Sequence, residues 1–179
     1  MRYLLIGWLA FMGVGCSVTL KQPAVHDFGL PVSAVAQGRA SITVNAPTWL
    51  WDNRIRYRLL FASPSQVRFY GLDRWIASPP ELLEQLLAGS GGKAQDYALI
   101  VRLQDFEQQF DAPDRARVVL HFSVEAYSDN KKIDEHEFNL QQPTKTPDAA
   151  GAISGFTDLA QRAAGKIQDW LVGLPSRRK

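Results

Sequence analysis

Between residues 116 and 126 the chain alternates with a period of two. Ala116, Val118, Leu120, Phe122, Val124 and Ala126 are apolar, whereas Arg117, His121, Ser123 and Glu125 between them are polar. Successive side chains of a strand point to opposite faces, so this pattern predicts a strand with one buried and one polar face. Residues 97–110 before it and 132–140 after it are expected to pair with it antiparallel, through turns at Asp111-Ala112-Pro113-Asp114 and Ser128-Asp129-Asn130. Upstream, residues 41–45 are alternating and β-branched, and further strands are expected over 54–61 and 66–70.

Elsewhere the period lengthens. Over residues 148–172, Ile153, Phe156, Leu159, Ala160, Ala163, Ile167, Trp170 and Leu171 recur at spacings of three and four, predicting a helix whose apolar stripe lies on the sheet. Pro79-Pro80 opens a shorter helix over 81–87, which stops at Gly89-Ser90-Gly91-Gly92. Strands, helix, three strands and helix in that order predict an α+β fold, an antiparallel sheet packed against a long C-terminal amphipathic helix and a shorter central one.

The N-terminus departs from both patterns. Arg2 precedes an uncharged run over residues 3–14 that is well short of the roughly 20 residues a spanning helix needs, the layout of a signal peptide. It ends in Gly13-Val14-Gly15-Cys16, which resembles the bacterial lipobox except at Gly13, where leucine is usual. The resemblance implies that residues 1–15 are removed and that Cys16 is acylated, carrying S-diacylglycerol and N-acyl lipid. Residues 16–25, polar and containing Pro23, then form a tether, residues 26–175 a single domain, and 176–179 a basic tail. Ser17 stands where an aspartate commonly signals retention in the inner membrane, so the expected location is the periplasmic face of the outer membrane.

Cys16 is the chain's only cysteine, so no intramolecular disulfide can form and the domain depends on packing and backbone pairing. The net charge of +2 falls to +1 when the leader takes away Arg2 and no acid, and no nucleic-acid partner follows from that balance.

Candidate chemistry is sparse. His136 lies in Asp134-Glu135-His136-Glu137, but neighbouring residues on a strand face opposite ways and cannot chelate together. Asp105, Glu107 and Asp111 form no acid pair that a second motif supports, and the glycine run lacks the Gly-Lys-Ser/Thr ending of a phosphate loop. The expectation is a protein that is not an enzyme, with no metal and no dissociable cofactor. Two groups fit partner binding. Arg54, Arg56 and Arg58 alternate along one strand face, where they are either paired with acids or available to an anionic partner. Trp49 and Trp51, with Trp75 downstream, are either core or interface residues.

These segments together resemble the ABC-type transport auxiliary lipoprotein family, which includes PqiC-like proteins. The matching stretches are Asp27-Phe28-Gly29-Leu30, Ala46-Pro47-Thr48-Trp49-Leu50-Trp51-Asp52, Ile55-Arg56-Tyr57-Arg58 and Arg74-Trp75-Ile76-Ala77-Ser78-Pro79-Pro80. Leu103-Gln104-Asp105-Phe106-Glu107-Gln108-Gln109-Phe110 and the helix ending in Trp170-Leu171 follow. Phe28 stands where that family commonly has tyrosine. The resemblance implies a non-catalytic component working beside an ABC transporter and an MCE-domain protein that move lipids or other hydrophobic compounds. A structural lipoprotein of another envelope assembly or secretion complex, and a small lipid-binding carrier, are the alternatives, and homo-oligomerisation stays open.

Overall fold

The computed structural model describes residues 21–29 and 41–174. The leader, Cys16 and the basic tail lie outside these residues. Strands β1 (Ala24–His26), β2 (Ser41–Asn45), β3 (Arg54–Leu59) and β4 (Val67–Trp75) come first, followed by helix α1 (Pro79–Gly89). Three long strands, β5 (Ala98–Ala112), β6 (Arg115–Ser128) and β7 (Lys131–Pro143), then lead into helix α2 (Ala149–Val172).

All seven strands form one sheet in the order β1-β4-β3-β5-β6-β7, with β2 also on β5. The predicted α+β class and the two helices hold, but the sheet is mixed rather than antiparallel. The pairs β5/β6, β6/β7 and β3/β4 are antiparallel, whereas β1/β4, β2/β5 and β3/β5 are parallel. The alternation of apolar residues says which face a strand buries and nothing about the direction of its neighbour. Strand limits shift too: β3 stops at Leu59, β4 runs on to Trp75, and β7 extends to Pro143, tolerated because β7 is an edge strand. A 3₁₀ turn, Gly92–Asp96, begins at the last glycine of the run and leads to β5, which starts at Ala98 beside the expected Tyr97.

The hairpins follow local chemistry. Asp129 and Asn130 both have positive φ, 51° and 60°, the conformation of a two-residue type I′ turn between β6 and β7. Helix α1 begins with a capping box, in which Glu81 accepts from the Ser78 backbone N–H. Helix α2 is capped by Asp148, whose carboxylate accepts the Gly151 N–H at 2.8 Å. Glycine is required at 151, because a Cβ there would stand 1.9 Å from the Thr146 carbonyl oxygen.

Both helices lie on one face of the sheet, α2 against β6 and β7 and α1 against β2 and α2. The apolar set of β6, Ala116 to Ala126, is buried beneath them as the alternation predicts. Phe156 of α2 stacks on Phe106 with centroids 3.9 Å apart, and Trp75 packs edge-on against Phe28, Phe106 and Phe156. Trp170, expected on the sheet, is only half-buried. Its Nε1–H donates to Asp134 at 3.0 Å, and its ring stacks at 6.0 Å from His136.

The other face of the sheet is polar. Arg102 and Lys132 converge on Glu125, His121 bridges Asp105 and Glu137, and Arg117 pairs with Asp111. Asp105, Glu107 and Asp111 each have their own partner, His121, Arg58 and Arg117 respectively.

Candidate functional site

The chain between β2 and β3 makes the most conspicuous surface feature. Both strands run parallel to β5 along the same edge: Asn45 is level with Arg102, and Tyr57 with Gln108. The connection from Asn45 to Tyr57 is twice as long as the stretch of β5 it runs beside, so the surplus bulges outward. Pro47 cannot continue the strand, and a 3₁₀ turn, Thr48–Leu50, takes up the slack. That geometry sorts the Trp49-Leu50-Trp51 triplet. Leu50 is 1% exposed and anchors the bulge in the core, while Trp49 is 61% and Trp51 47% exposed. Trp51 is also held from below, its Nε1–H donating to the Ala46 carbonyl at 3.2 Å.

Large exposed rings on an anchored turn suit recognition, because little side-chain freedom remains to be lost on binding. Trp75 is no part of this surface. It is 1% exposed and belongs to the core, which corrects its assignment to partner binding. Its neighbours Arg74, in β4, and Ile76, just past its end, point outward, so the alternation turns the Trp75 indole inward against Phe28 and Phe156.

The three arginines of β3 have three different environments. Arg54 is exposed, forks onto the Asp52 carboxylate and lies 3.8 Å above the Phe69 ring. Its guanidinium holds the Asp52 carboxyl below the usual carboxylate range. Arg58 is turned inward and forks onto Glu107, which is 5% exposed, with a further bond of 2.9 Å to the Pro64 carbonyl. Arg56, between them, is half-buried. Its side chain makes no hydrogen bond among the described residues, and its Nε is buried without a partner. Burial lowers its pKa, while the nearby negative charge of Glu107 opposes that shift. Arg58 is therefore a structural residue, Arg54 a neutralised surface residue, and Arg56 the β3 arginine with unused donors.

Among the described residues no group of three or more His, Cys, Asp or Glu side chains could hold a metal ion. The adjacent residues of Asp134-Glu135-His136-Glu137 alternate faces as predicted: Asp134 and His136 meet Trp170, while Glu135 and Glu137 reach Lys132 and His121. An open depression of about 640 Å³ at the far end of β5 and β6 is lined by Ser41, Gln95, Asp96, Tyr127, Ser128 and Asn130, a mostly polar set.

No family model matches the chain, and no curated protein matches it. Solved structures do resemble it in shape, two of them as follows. One is a crystal structure of a Xanthomonas campestris protein assigned to the family DUF330, with a TM-score of 0.62, 15% identity, and coverage of 84% of this chain and 92% of that one. The other, described as an uncharacterized protein, has a TM-score of 0.63 and 12% identity, covering 84% and 99% of the two chains. At these identities the likeness is one of fold: the mixed sheet with its two helices is shared with a DUF330 protein over most of both chains.

Proposed function

We propose that this protein is a non-catalytic, acyl-anchored lipoprotein of the cell envelope, an accessory to an ABC transporter and an MCE-domain protein moving lipids or other hydrophobic compounds. Acylation at Cys16 anchors it in this reading, and Ser17 after the cysteine favours the periplasmic face of the outer membrane. The observation that carries this reading is the shared DUF330 fold, since PqiC-like proteins, which the chain resembles in motif order, are DUF330 proteins. The anchored bulge with Trp49 and Trp51 outward, and Arg56 with free donors nearby, supports docking of a protein partner there.

The test is co-purification of the acylated chain with an MCE-domain protein from bacterial envelopes. Wild type retains that protein, whereas Trp49→Ala/Trp51→Ala loses it with an unchanged circular dichroism spectrum. Equal retention by the double variant rejects the docking surface, and no MCE-domain protein with wild type rejects the functional reading. Charge reversal at Arg58 is unsuitable for this purpose, because it would leave Glu107 buried beside a second carboxylate.

A further inference from the structure

At the opposite edge of the sheet from β7, β1 and the end of β4 carry a second exposed apolar group. Residues 72–76 alternate: Asp73 and Trp75 turn toward the core side, and Leu72, Arg74 and Ile76 point out. Val25 of β1 is in register with Arg74, so it joins the same outward face. Leu72 is 50%, Ile76 64% and Val25 48% exposed, three large aliphatic side chains clustered around one arginine. Arg54 of β3 lies directly across from Arg74. Like charges opposite each other on neighbouring strands destabilise a sheet unless something anionic meets them. Asp52 answers Arg54, but the Arg74 side chain has no hydrogen bond or ion pair among the described residues. The remaining nearby acids are occupied: Asp27 accepts the Gly29 N–H, and Asp73, on the inner side, bonds His26.

We propose that this corner is where the domain rests on its membrane, with Val25, Leu72 and Ile76 in the interfacial layer and Arg74, flanked by Arg54, on anionic headgroup phosphates. The inference rests on the lipoprotein reading of Cys16. Only residues 17–23 separate Cys16 from the first residue of β1, and at no more than about 3.5 Å per residue that strand stays within roughly 25–30 Å of the acylated residue. β1 is therefore the strand the anchor leads into, and its outer face is the apolar one. An aliphatic cluster around an arginine whose side chain has no partner among the described residues matches the layering of a bilayer surface, apolar below and phosphate above. Each such charge changes local association by about fivefold, enough to orient a domain that the acyl chains already hold.

The experiment uses the acylated chain carrying Ile76→Cys or Leu72→Cys, labelled with an environment-sensitive fluorophore. The Cys16 sulfur is blocked by its diacylglycerol, so the introduced thiol is the only one that reacts. Asp158→Cys, on the exposed side of α2, is the control. Each protein is reconstituted into vesicles of phosphatidylethanolamine and phosphatidylglycerol with brominated acyl chains. The probes at 72 and 76 are expected to shift to the blue and lose about half their emission or more to bromine. The control should keep its emission, and Arg74→Glu should return the probe at 76 to control behaviour. Probes at 72 and 76 that remain as exposed as the control in floating vesicles overturn the proposal. So does burial that appears only when a partner protein is added, and so does equal quenching in phosphatidylcholine alone, which would remove the role of Arg74. Failure of the chain to float, a separate readout, overturns the anchor reading and this inference with it.

Discussion

Arg58 and Glu107, distant in sequence, meet across β3 and β5: the guanidinium Nε and Nη2 donate to the carboxylate at 3.1 Å each. Gln109 donates to the same carboxylate at 2.8 Å, so a nearly inaccessible acid has its oxygens occupied. Removing the cation leaves that carboxylate with one neutral donor. Arg58→Ala is expected to cost about 2–3 kcal/mol, below the usual 3–5 for a fully buried pair because Arg58 keeps some solvent access. Urea unfolding checks this, and Arg54→Ala, an exposed arginine on the same strand, should change the midpoint far less.

The tryptophans separate by role in the same assay. Trp75→Ala should cost about 3–5 kcal/mol, since the indole is fully enclosed by Phe28, Phe106 and Phe156. Trp170→Ala should cost less, because its ring is only partly buried, and Trp49→Ala should leave the midpoint almost unchanged. Equal losses at 75 and 49 would contradict the assignment of one to the core and the other to a binding surface.

The cap of α2 makes stability depend on acidity. The Thr146 hydroxyl, and then the Gly151 N–H, hold the Asp148 carboxyl below its ordinary value of 3.8. A depressed carboxyl contributes its full stabilisation above the unfolded-state value, and that contribution disappears as the pH falls through the lower folded-state value. Asp148→Asn keeps a neutral acceptor and removes the titration. The difference in melting temperature between wild type and Asp148→Asn should therefore be constant at neutral pH and shrink below about pH 4. Asp148→Ala should cost about 1 kcal/mol at pH 7.

The proposed acyl anchor is tested at Cys16 itself. Wild type should incorporate labelled palmitate and fractionate with membranes, and Cys16→Ala should do neither, because the buried acyl methylenes contribute about 0.8 kcal/mol each to attachment. Equal labelling of the two proteins would remove the anchor from the account.

Much of this architecture is legible in the residue pattern, and the reasons for the rest are physical. The β6 alternation and the α2 stripe each encode a buried face, and both elements appear where that periodicity places them, with Asp148 as the cap. Strand direction is not encoded there, so the parallel pairing of β2 and β3 with β5 was invisible. The triplet Trp49-Leu50-Trp51 could be read as core or interface, because its exposure is set by the surplus of chain between Asn45 and Tyr57. Trp75 lacked a local signal for burial: four aromatic residues far apart in sequence converge only in the folded chain. The three arginines look equivalent along β3, and only the position of Glu107 on the neighbouring strand distinguishes Arg58 from Arg56.

Docking through the β2–β3 bulge is tested most directly by a photo-reactive amino acid placed at Trp49 in living bacteria, followed by mass spectrometry of the crosslinked product. The account predicts a crosslink to an MCE-domain protein, absent when the same group replaces Asp158 on α2. An acylated, folded chain that crosslinks at 49 to no such protein, or equally well at 158, would contradict it.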